Sequence, residues 1–203
     1  VRSTGKDGLI KLNKYLKNLP TVTVKGKTYF FINGIGLGLD GHCCAQKEIA
    51  NKNQKKANYA SIALKGFMYK FSPMNAVVTV DGETIKYNNV WLASSMYGSF
   101  YGGGLPLAPK QYRLNPENSL TSVVVNCKNR MRIVAAFPSI FKGTHTKYDK
   151  LVHIRTGHEI KVELEKPSDM QIDGETIFGV SSYTVRSAKY NDRFSKKAAK
   201  AAK

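Results

Sequence analysis

Residues 169–177 read DMQIDGETI, and this stretch decides the fold class of the chain. Asp173-Gly174 lies between two β-like runs, where Asp-Gly favours a two-residue hairpin turn because both central residues adopt positive φ. The tripeptide Asp-Gly-Glu also occurs at residues 81–83, again between β-like runs. Both copies are therefore predicted to be hairpin turns.

Short runs rich in β-branched and aromatic residues continue on both sides of these turns. A further hairpin is predicted around Lys25-Gly26, between residues 21–24 and 28–33. Candidate strands separated by Gly, Pro and Asn are 77–80, 84–87, 90–95, 120–126, 151–155, 158–164, 170–172 and 176–186. Many short strands with few helices predict a mainly β fold, a β-sandwich or rolled sheet with a few helices packed outside.

Three segments have the apolar spacing of helices. Residues 7–19 carry leucines three, four and three positions apart, and Pro20 ends that pattern. Residues 57–71 form a second apolar face that ends before Pro73, and residues 130–141 are a third candidate, although Pro138 lies inside it. The glycine-rich run 33–38 is predicted to be a strand end that turns tightly, and residues 39–43 open no clear helix.

Composition limits the possible classes of protein. A chain of 203 residues with 42% apolar content can form one sizeable core, predicted over residues 1–190, followed by a disordered basic tail at 191–203. Three cysteines without metal-binding spacing are predicted to be buried free thiols in a reducing cytoplasm. The net charge of +18 implies an anionic partner, namely nucleic acid, an acidic membrane surface or phosphate.

Two features suggest ligand binding, and each has an ordinary structural alternative. Gly102, Gly103 and Gly104 permit a close approach of backbone to a ligand, or they form a mere flexible loop. The preceding Tyr97, Phe100 and Tyr101 form an aromatic rim for an acyl chain or a lid on the core. Asp40 binds a polar substrate head group, or it is a capping or turn residue.

Taken in order, four motifs resemble the bacterial soluble diacylglycerol kinase and sphingosine-kinase-like family over about residues 1–186. They are Phe31-Ile32-Asn33 with Gly36, Gly38 and Asp40; Gly102-Gly103-Gly104 with Ala108-Pro109; Lys142-Gly143-Thr144-His145; and Asp173-Gly174-Glu175. The resemblance implies the C-terminal, lipid-side β-sandwich domain of such a kinase. It also distinguishes the two Asp-Gly-Glu copies, since only the later one matches the family.

The resemblance implies roles for individual residues. Asp173 and Glu175 are the catalytic candidates, with Glu175 preferred as the proton acceptor, while Asp40 and Gly102 to Gly104 bind substrate. A magnesium site would lie in the loop that holds Leu114, Glu117 and Ser119, where Glu117 and Asn118 replace the family's aspartate and glycine. Carboxylate oxygen is a suitable ligand for Mg²⁺.

The family's phosphate-binding Gly-Gly-Asp-Gly-Thr and Gly-Asn-Asp segments do not occur in these residues, so ATP is expected to bind mostly to a missing N-terminal half. The expected partners are that half, a lipid such as diacylglycerol and an anionic membrane surface, with no nucleic acid. The expected location is the cytoplasm, peripheral on the inner membrane. Two alternatives remain: a catalytically inactive regulatory or membrane-docking domain of the same fold, and a basic nucleic-acid-binding β module.

Overall fold

The computed structural model describes residues 13–52, 62, 65 and 71–190. Nine strands and three α-helices have their bounds within these residues. The strands are β1 (Thr21–Val24), β2 (Lys27–Phe30), β3 (Gly34–Gly38), β4 (Met74–Val80), β5 (Glu83–Met96), β6 (Leu120–Asn126), β7 (Val152–Gly157), β8 (Glu159–Ile172) and β9 (Glu175–Arg186). The helices are α1 (Asn13–Leu16), α2 (Leu39–Lys52) and α3 (Arg130–Ala136), with 3₁₀ turns at Gly102–Gly104, Phe137–Lys142 and Thr144–Lys147. The predicted mainly β fold is confirmed.

All strand pairs are antiparallel, in the order β2-β1-β9-β8-β3-β5-β6-β7. The long strands β5 and β8 pair with β3 along one half and with β4 along the other. The sheet folds over on itself. One contact that shows this joins β9 to β5, where the hydroxyl oxygens of Tyr183 and Ser95 lie 3.0 Å apart. One apolar core joins side chains from opposite parts of the sheet, among them Val22, Val78, Val124 and Val185.

The three predicted hairpin turns have the expected backbone geometry. The φ angles are 48° and 74° at Lys25-Gly26, 49° and 90° at Asp81-Gly82, and 50° and 99° at Asp173-Gly174. Positive φ at both central residues is the signature of the turn that matches strand twist. These dipeptides therefore set the register of β1 with β2, β4 with β5, and β8 with β9.

Several predicted boundaries differ from the structure. The predicted strands 84–87 and 90–95 are one strand, β5, and 158–164 with 170–172 are one strand, β8, which contains register shifts between Glu163 and Met170. The helix predicted over 130–141 ends as α-helix at Ala136 and continues as a 3₁₀ turn, because Pro138 cannot donate an α-helical hydrogen bond. The predicted residues 7–12, most of 57–71 and the tail 191–203 lie outside the described part of the chain.

The expectation that residues 39–43 open no helix is wrong, since α2 begins at Leu39. Gly38, with φ of 84°, ends β3 and redirects the chain into this helix. Gly41 is required by close packing rather than by a turn, because a Cβ atom there would lie 1.9 Å from the backbone oxygen of Asp169 in β8. The five residues of β3 are all buried, so the glycine-rich run is itself a central strand.

Candidate active site

The later Asp-Gly-Glu turn forms one wall of an open polar cleft of about 680 Å³. The cleft brings together the predicted residues Asp40, Gly102, Asp173 and Glu175, which are far apart in sequence. The full lining is Asn33, Asp40, Cys44, Lys47, Glu48, Phe100, Tyr101, Gly102, Gln171, Asp173, Gly174 and Glu175. Four carboxylates face one lysine, so this wall of the cleft is acidic.

Asp173 holds the backbone that leads from β2 into β3. Its Oδ2 accepts the amide N–H of Ile32 at 2.6 Å, and its Oδ1 accepts the amides of Asn33 and Gly34 at 2.8 and 2.9 Å. Its own N–H donates to the carbonyl of Gly34 at 3.0 Å. Because both oxygens accept backbone amides, Asp173 positions this wall of the cleft.

Glu175 is the second carboxylate of the turn, and it also lines the cleft. It is the first residue of β9 and is exposed. Among the described residues, no side chain or backbone amide bonds its carboxylate. A carboxylate in that condition is available to accept a proton from a bound hydroxyl.

Asp40 lies at the bottom of the cleft, in the first turn of α2, where the helix dipole favours a negative charge. It is 4% exposed, and its Oδ2 accepts a hydrogen bond from Gln171 Nε2 at 2.8 Å. Gly36 makes room for it, because a Cβ atom at Gly36 would lie 1.8 Å from that oxygen. Glycine at position 36 of β3 is therefore required for a buried carboxylate in the cleft.

Tyr101 completes this polar group. Its hydroxyl bonds Ser94 Oγ and the carboxylate of Asp40. Burial, followed by the charge of Asp40, raises the pKa of Tyr101 well above its ordinary value. The hydroxyl therefore stays protonated and remains a hydrogen-bond donor at neutral pH.

The glycine cluster forms a 3₁₀ turn at the rim of the cleft, with Gly104 at φ of 76°. Gly102 lines the cleft, and the space beside its Cα is empty, since an added Cβ would meet no atom within 4 Å. Of the predicted aromatic rim, Phe100 is exposed beside the cleft, whereas Tyr97 is buried in the core. The cluster thus leaves open space at the rim where a ligand can approach.

A second, apolar cavity of about 80 Å³ lies behind Asp40 and Tyr101, which line both spaces. Its other walls are Leu39, Cys43, Leu92, Leu105, Leu107, Val125, Ile133, Ala136, Phe137, Ile140, His145, Leu151 and Val152. The sequence analysis did not identify this cavity, because its lining comes from segments that have no common motif. A polar cleft that shares two lining residues with an apolar cavity suits an amphipathic ligand.

The model of the YegS C-terminal, NAD kinase β-sandwich-like domain matches residues 33–187 of the chain. The chain belongs to this family. The matched range contains every residue of the cleft and of the apolar cavity. It also contains both Asp-Gly-Glu turns, so the family match alone does not distinguish their roles.

Relatives of this YegS-type domain include YtlR of Bacillus subtilis (strain 168), a candidate lipid kinase that is 24% identical over 174 residues, or 81% of this chain and 54% of YtlR. Two crystal structures of candidate diacylglycerol kinases from Bacillus anthracis (strain Sterne) share the fold, with TM-scores of 0.59 and 0.57 at 16% identity. Each superposition covers 86% of this chain and 54% or 55% of the other. The chain thus spans about half the length of these relatives.

The loop predicted to bind magnesium has its oxygen atoms engaged within the protein. Glu117 Oε2 pairs with Lys189 Nζ at 2.5 Å, and the carbonyl of Ser119 accepts bonds from Gln111 Nε2 at 2.8 Å and Asn115 Nδ2 at 3.2 Å. No cluster of three His, Cys, Asp or Glu residues within the described ranges is placed to hold a metal. Glu117 and Ser119 thus have partners within the protein, and magnesium binding by Leu114, Glu117 and Ser119 stays a prediction.

The YegS-type domain has one buried thiol, not three: Cys43 is buried, while Cys44 and Cys127 are partly exposed. His145 is 4% exposed, and its Nε2 bonds the carbonyl of Leu107 at 2.9 Å. Burial lowers the pKa of His145, so its ring is neutral at pH 7 and closes one side of the apolar cavity. In the described part of the chain, no helix has the length and apolar character needed to cross a membrane.

Proposed function

We propose that this chain is the acceptor-side domain of an ATP-dependent lipid kinase of the diacylglycerol kinase type. The observation that carries the proposal is the junction at Asp40 and Tyr101, where an acidic polar cleft meets an apolar cavity. A lipid alcohol has a hydroxyl that suits the first space and a hydrocarbon chain that suits the second. The kinase relatives support phosphoryl transfer as the reaction.

In this proposal Glu175 accepts the proton of the lipid hydroxyl while the hydroxyl oxygen attacks the γ-phosphorus of ATP. A new O–P bond forms, the bond to the β,γ-bridging oxygen breaks, and ADP leaves. Asp40 accepts a hydrogen bond from the lipid head group, which orients the lipid hydroxyl toward the cleft, and Tyr101 donates its single hydroxyl proton to Asp40 and so holds that carboxylate in place. Asp173 contributes by fixing the backbone on which Glu175 is carried.

Nucleotide binding is assigned to a second domain. The wall formed by this chain carries four carboxylates and one lysine, and a triphosphate is repelled by such a surface. In the described part of the chain, Gly102 to Gly104 form a 3₁₀ turn that continues into extended backbone at Leu105 and not into a helix. They therefore lack the helix N-terminus that a phosphate-binding glycine loop uses. ATP would therefore approach from the opposite side of the cleft.

A catalytically inactive docking domain of the same fold is the second candidate. The observation that favours it is the Glu117–Lys189 pair, which occupies the carboxylate that the magnesium prediction needs. Such a domain would keep the apolar cavity and bind lipid without phosphorylating it. Phosphoryl transfer to lipid by the full-length protein separates the two candidates.

The test fills the cavity with a larger side chain and measures which acceptor is phosphorylated. Full-length protein is assayed for transfer of radiolabelled γ-phosphate to a short-chain diacylglycerol, supplied as monomers, with glycerol and NAD as other acceptors. Ala136→Trp should raise KM for the diacylglycerol about tenfold, because displacing two buried methylenes loses about 1.6 kcal/mol. Ser182→Trp, at an exposed position of β9 that does not line the cavity, is the control and should leave KM unchanged.

Three outcomes would contradict the proposal. The first is transfer to NAD or glycerol but not to the lipid, which would make the cavity irrelevant to acceptor choice. The second is an equal effect of the two tryptophan variants. The third is lipid binding without any transfer, which would favour the inactive docking domain.

A further inference from the structure

The helical segment of residues 130–142 forms part of the wall of the apolar cavity. It consists of α3 followed directly by the 3₁₀ turn Phe137–Lys142. Its inner side chains, Ile133, Phe137 and Ile140, line the cavity. Its outer side carries Met131 and Phe141, which are 63% and 51% exposed.

The outer side has the pattern of an interfacial helix. Met131, Ala135 and Pro138 are exposed and recur at spacings of four and three, which places them in one row opposite the cavity. Phe141 continues this apolar row, and its ring packs edge-on against Phe137 with centroids 5.6 Å apart. Met131 and Phe141 nevertheless remain largely uncovered by the described part of the chain.

Cations surround the row. Residues 128–150 contain six Lys or Arg and a single acid, Asp149. Lys128, Arg132 and Lys142 are exposed beside the row, and Lys147, Tyr148 and Lys150 are exposed in the following turn. We define the docking face as the exposed side chains of residues 128–150.

The docking face is held firmly on the body of the domain. Arg130 lies over the ring of Trp91, with its guanidinium carbon 4.9 Å from the ring centroid, and donates to the carbonyl of Phe71 at 3.1 Å. The amide side chain of Asn129 caps α3 by accepting the backbone N–H of Met131 at 2.9 Å. The outer row therefore keeps a fixed direction relative to the cavity.

We propose that the docking face lies on an anionic bilayer, with Met131 and Phe141 inserted below the head groups and the surrounding cations bound to acidic lipids. Helices with an apolar row between Lys and Arg residues bind membranes in this way. The inner side of the same segment lines the cavity, so a lipid drawn from the bilayer here crosses about one helix diameter, about 10 Å, to reach it. This proposal rests on the proposed function only in assigning a lipid to the cavity.

The experiment measures partition of the 203-residue chain onto vesicles, without ATP. Vesicles contain either phosphatidylcholine alone or phosphatidylcholine with one part in three of phosphatidylglycerol. The test variant is Met131→Glu with Phe141→Glu. The matched control, Phe30→Glu with Phe178→Glu, places the same charges on phenylalanines of β2 and β9 that are 71% and 54% exposed.

The chain should bind the anionic vesicles, and the test variant should bind at least about tenfold more weakly, because two anchors are replaced by anions. The control should bind within about twofold of the original chain. Ala135→Trp should bind more tightly, since Trp prefers the interface. Thermal unfolding of each variant checks that the exposed substitutions leave the fold intact.

Several results would overturn the proposal. Equal losses in the test and control variants would show that negative charge alone prevents binding. Loss of vesicle binding on deletion of residues 196–203 alone would assign binding to the lysine tail.

Two other partners of the docking face would also contradict the proposal. If the chain is a dimer that does not bind vesicles, and the test variant is a monomer, a second copy of the chain covers the face. Tighter binding to single-stranded DNA than to vesicles, abolished by the test variant, would assign the face to nucleic acid. Kinase activity enters none of these readouts, so a failed kinase assay leaves the docking result unaffected.

Discussion

The two Asp-Gly-Glu turns have the same local structure in different surroundings. In both, the aspartate has φ near 50°, and its carboxylate accepts backbone amides from a neighbouring connection. Asp81 Oδ1 accepts those of His158 and Glu159 at 2.8 Å each, and Asp173 accepts three between 2.6 and 2.9 Å. The aspartate is therefore a structural residue of both turns, and it does not by itself mark an active site.

The glutamates distinguish the turns. Glu83 pairs with Arg155 at 2.8 Å between Oε2 and the guanidinium nitrogen, so its charge is compensated. Glu175 faces the cleft that contains Asp40 and Tyr101, and no partner for it occurs among the described residues. Candidate chemistry thus follows from what surrounds the third residue of the turn, and not from the tripeptide itself.

The largest expected difference between the turns is in catalysis. In the full-length protein, Glu175→Gln should lower kcat for lipid phosphorylation by about 10²-fold to 10⁴-fold, the usual effect of removing a general base. Glu83→Gln should leave kcat within about twofold, because Glu83 is at the other turn and pairs with Arg155. Steady-state assays with radiolabelled ATP measure both. Equal losses would show that the glutamates act through stability, and an unaffected Glu175→Gln variant would remove Glu175 from the reaction.

Asp173 and Asp81 are both expected to stabilise the fold, by different amounts. Asp173→Asn should lower the free energy of unfolding by about 2–3 kcal/mol and Asp81→Asn by about 1–2 kcal/mol, because hydrogen bonds to a charged acceptor are worth about 1.5–3 kcal/mol before exposure reduces them. Three amides depend on Asp173 and two on Asp81. Asparagine tolerates positive φ, so the substitutions test the carboxylate alone.

Denaturant unfolding of the 203-residue chain measures these values. The sequence analysis placed Asp173 among the catalytic residues, and activity normalised to folded protein tests that role. A large activity loss in an Asp173→Asn variant of unchanged stability would restore Asp173 as a catalytic residue. A loss of stability with kcat retained would confine it to positioning.

The sequence predicted the hairpins, and with them much of the sheet, because turn chemistry is local. Asp-Gly and Lys-Gly require positive φ, and the alternating runs beside them continue as strands in the structure. Helix α2 was missed because Gly41, which is unfavourable in a helix by propensity, is needed where the helix packs against Asp169 of β8. That contact joins residues 128 positions apart, and no local pattern reports it.

The site was predictable only through the family resemblance. Local reasoning could not choose between residues 81–83 and 173–175, because both are hairpin turns with an amide-bound aspartate. The arrangement of Asp40 beneath Gly36 and beside Gln171 depends on pairing between β3 and β8, which is long-range. The apolar cavity depends likewise on the packing of α3 against β5 and β6, and no local pattern reports its lining as a set.

The glycines of the two turns should behave alike, which tests whether the turns are equivalent in backbone structure. Gly174 and Gly82 have φ of 99° and 90°, and an added Cβ at either would meet no atom within 4 Å. Gly174→Ala and Gly82→Ala should each cost about 1 kcal/mol, from backbone strain alone. Unfolding free energies that differ by more than about 0.5 kcal/mol would contradict the equivalence.

The smallest expected effect has opposite signs at the two turns. Glu83→Gln removes an exposed ion pair and should lower the free energy of unfolding by at most about 0.5 kcal/mol, less at high salt. Glu175→Gln removes a charge from a cleft that also holds Asp40, Glu48 and Asp173, so it should leave stability unchanged or raise it by up to about 0.5 kcal/mol. Unfolding at low and high salt separates these cases. If Glu175→Gln instead lowers the free energy of unfolding, and high salt reduces that loss, the carboxylate of Glu175 has a favourable partner. Glu175 would then not differ from Glu83, whose charge is compensated by Arg155.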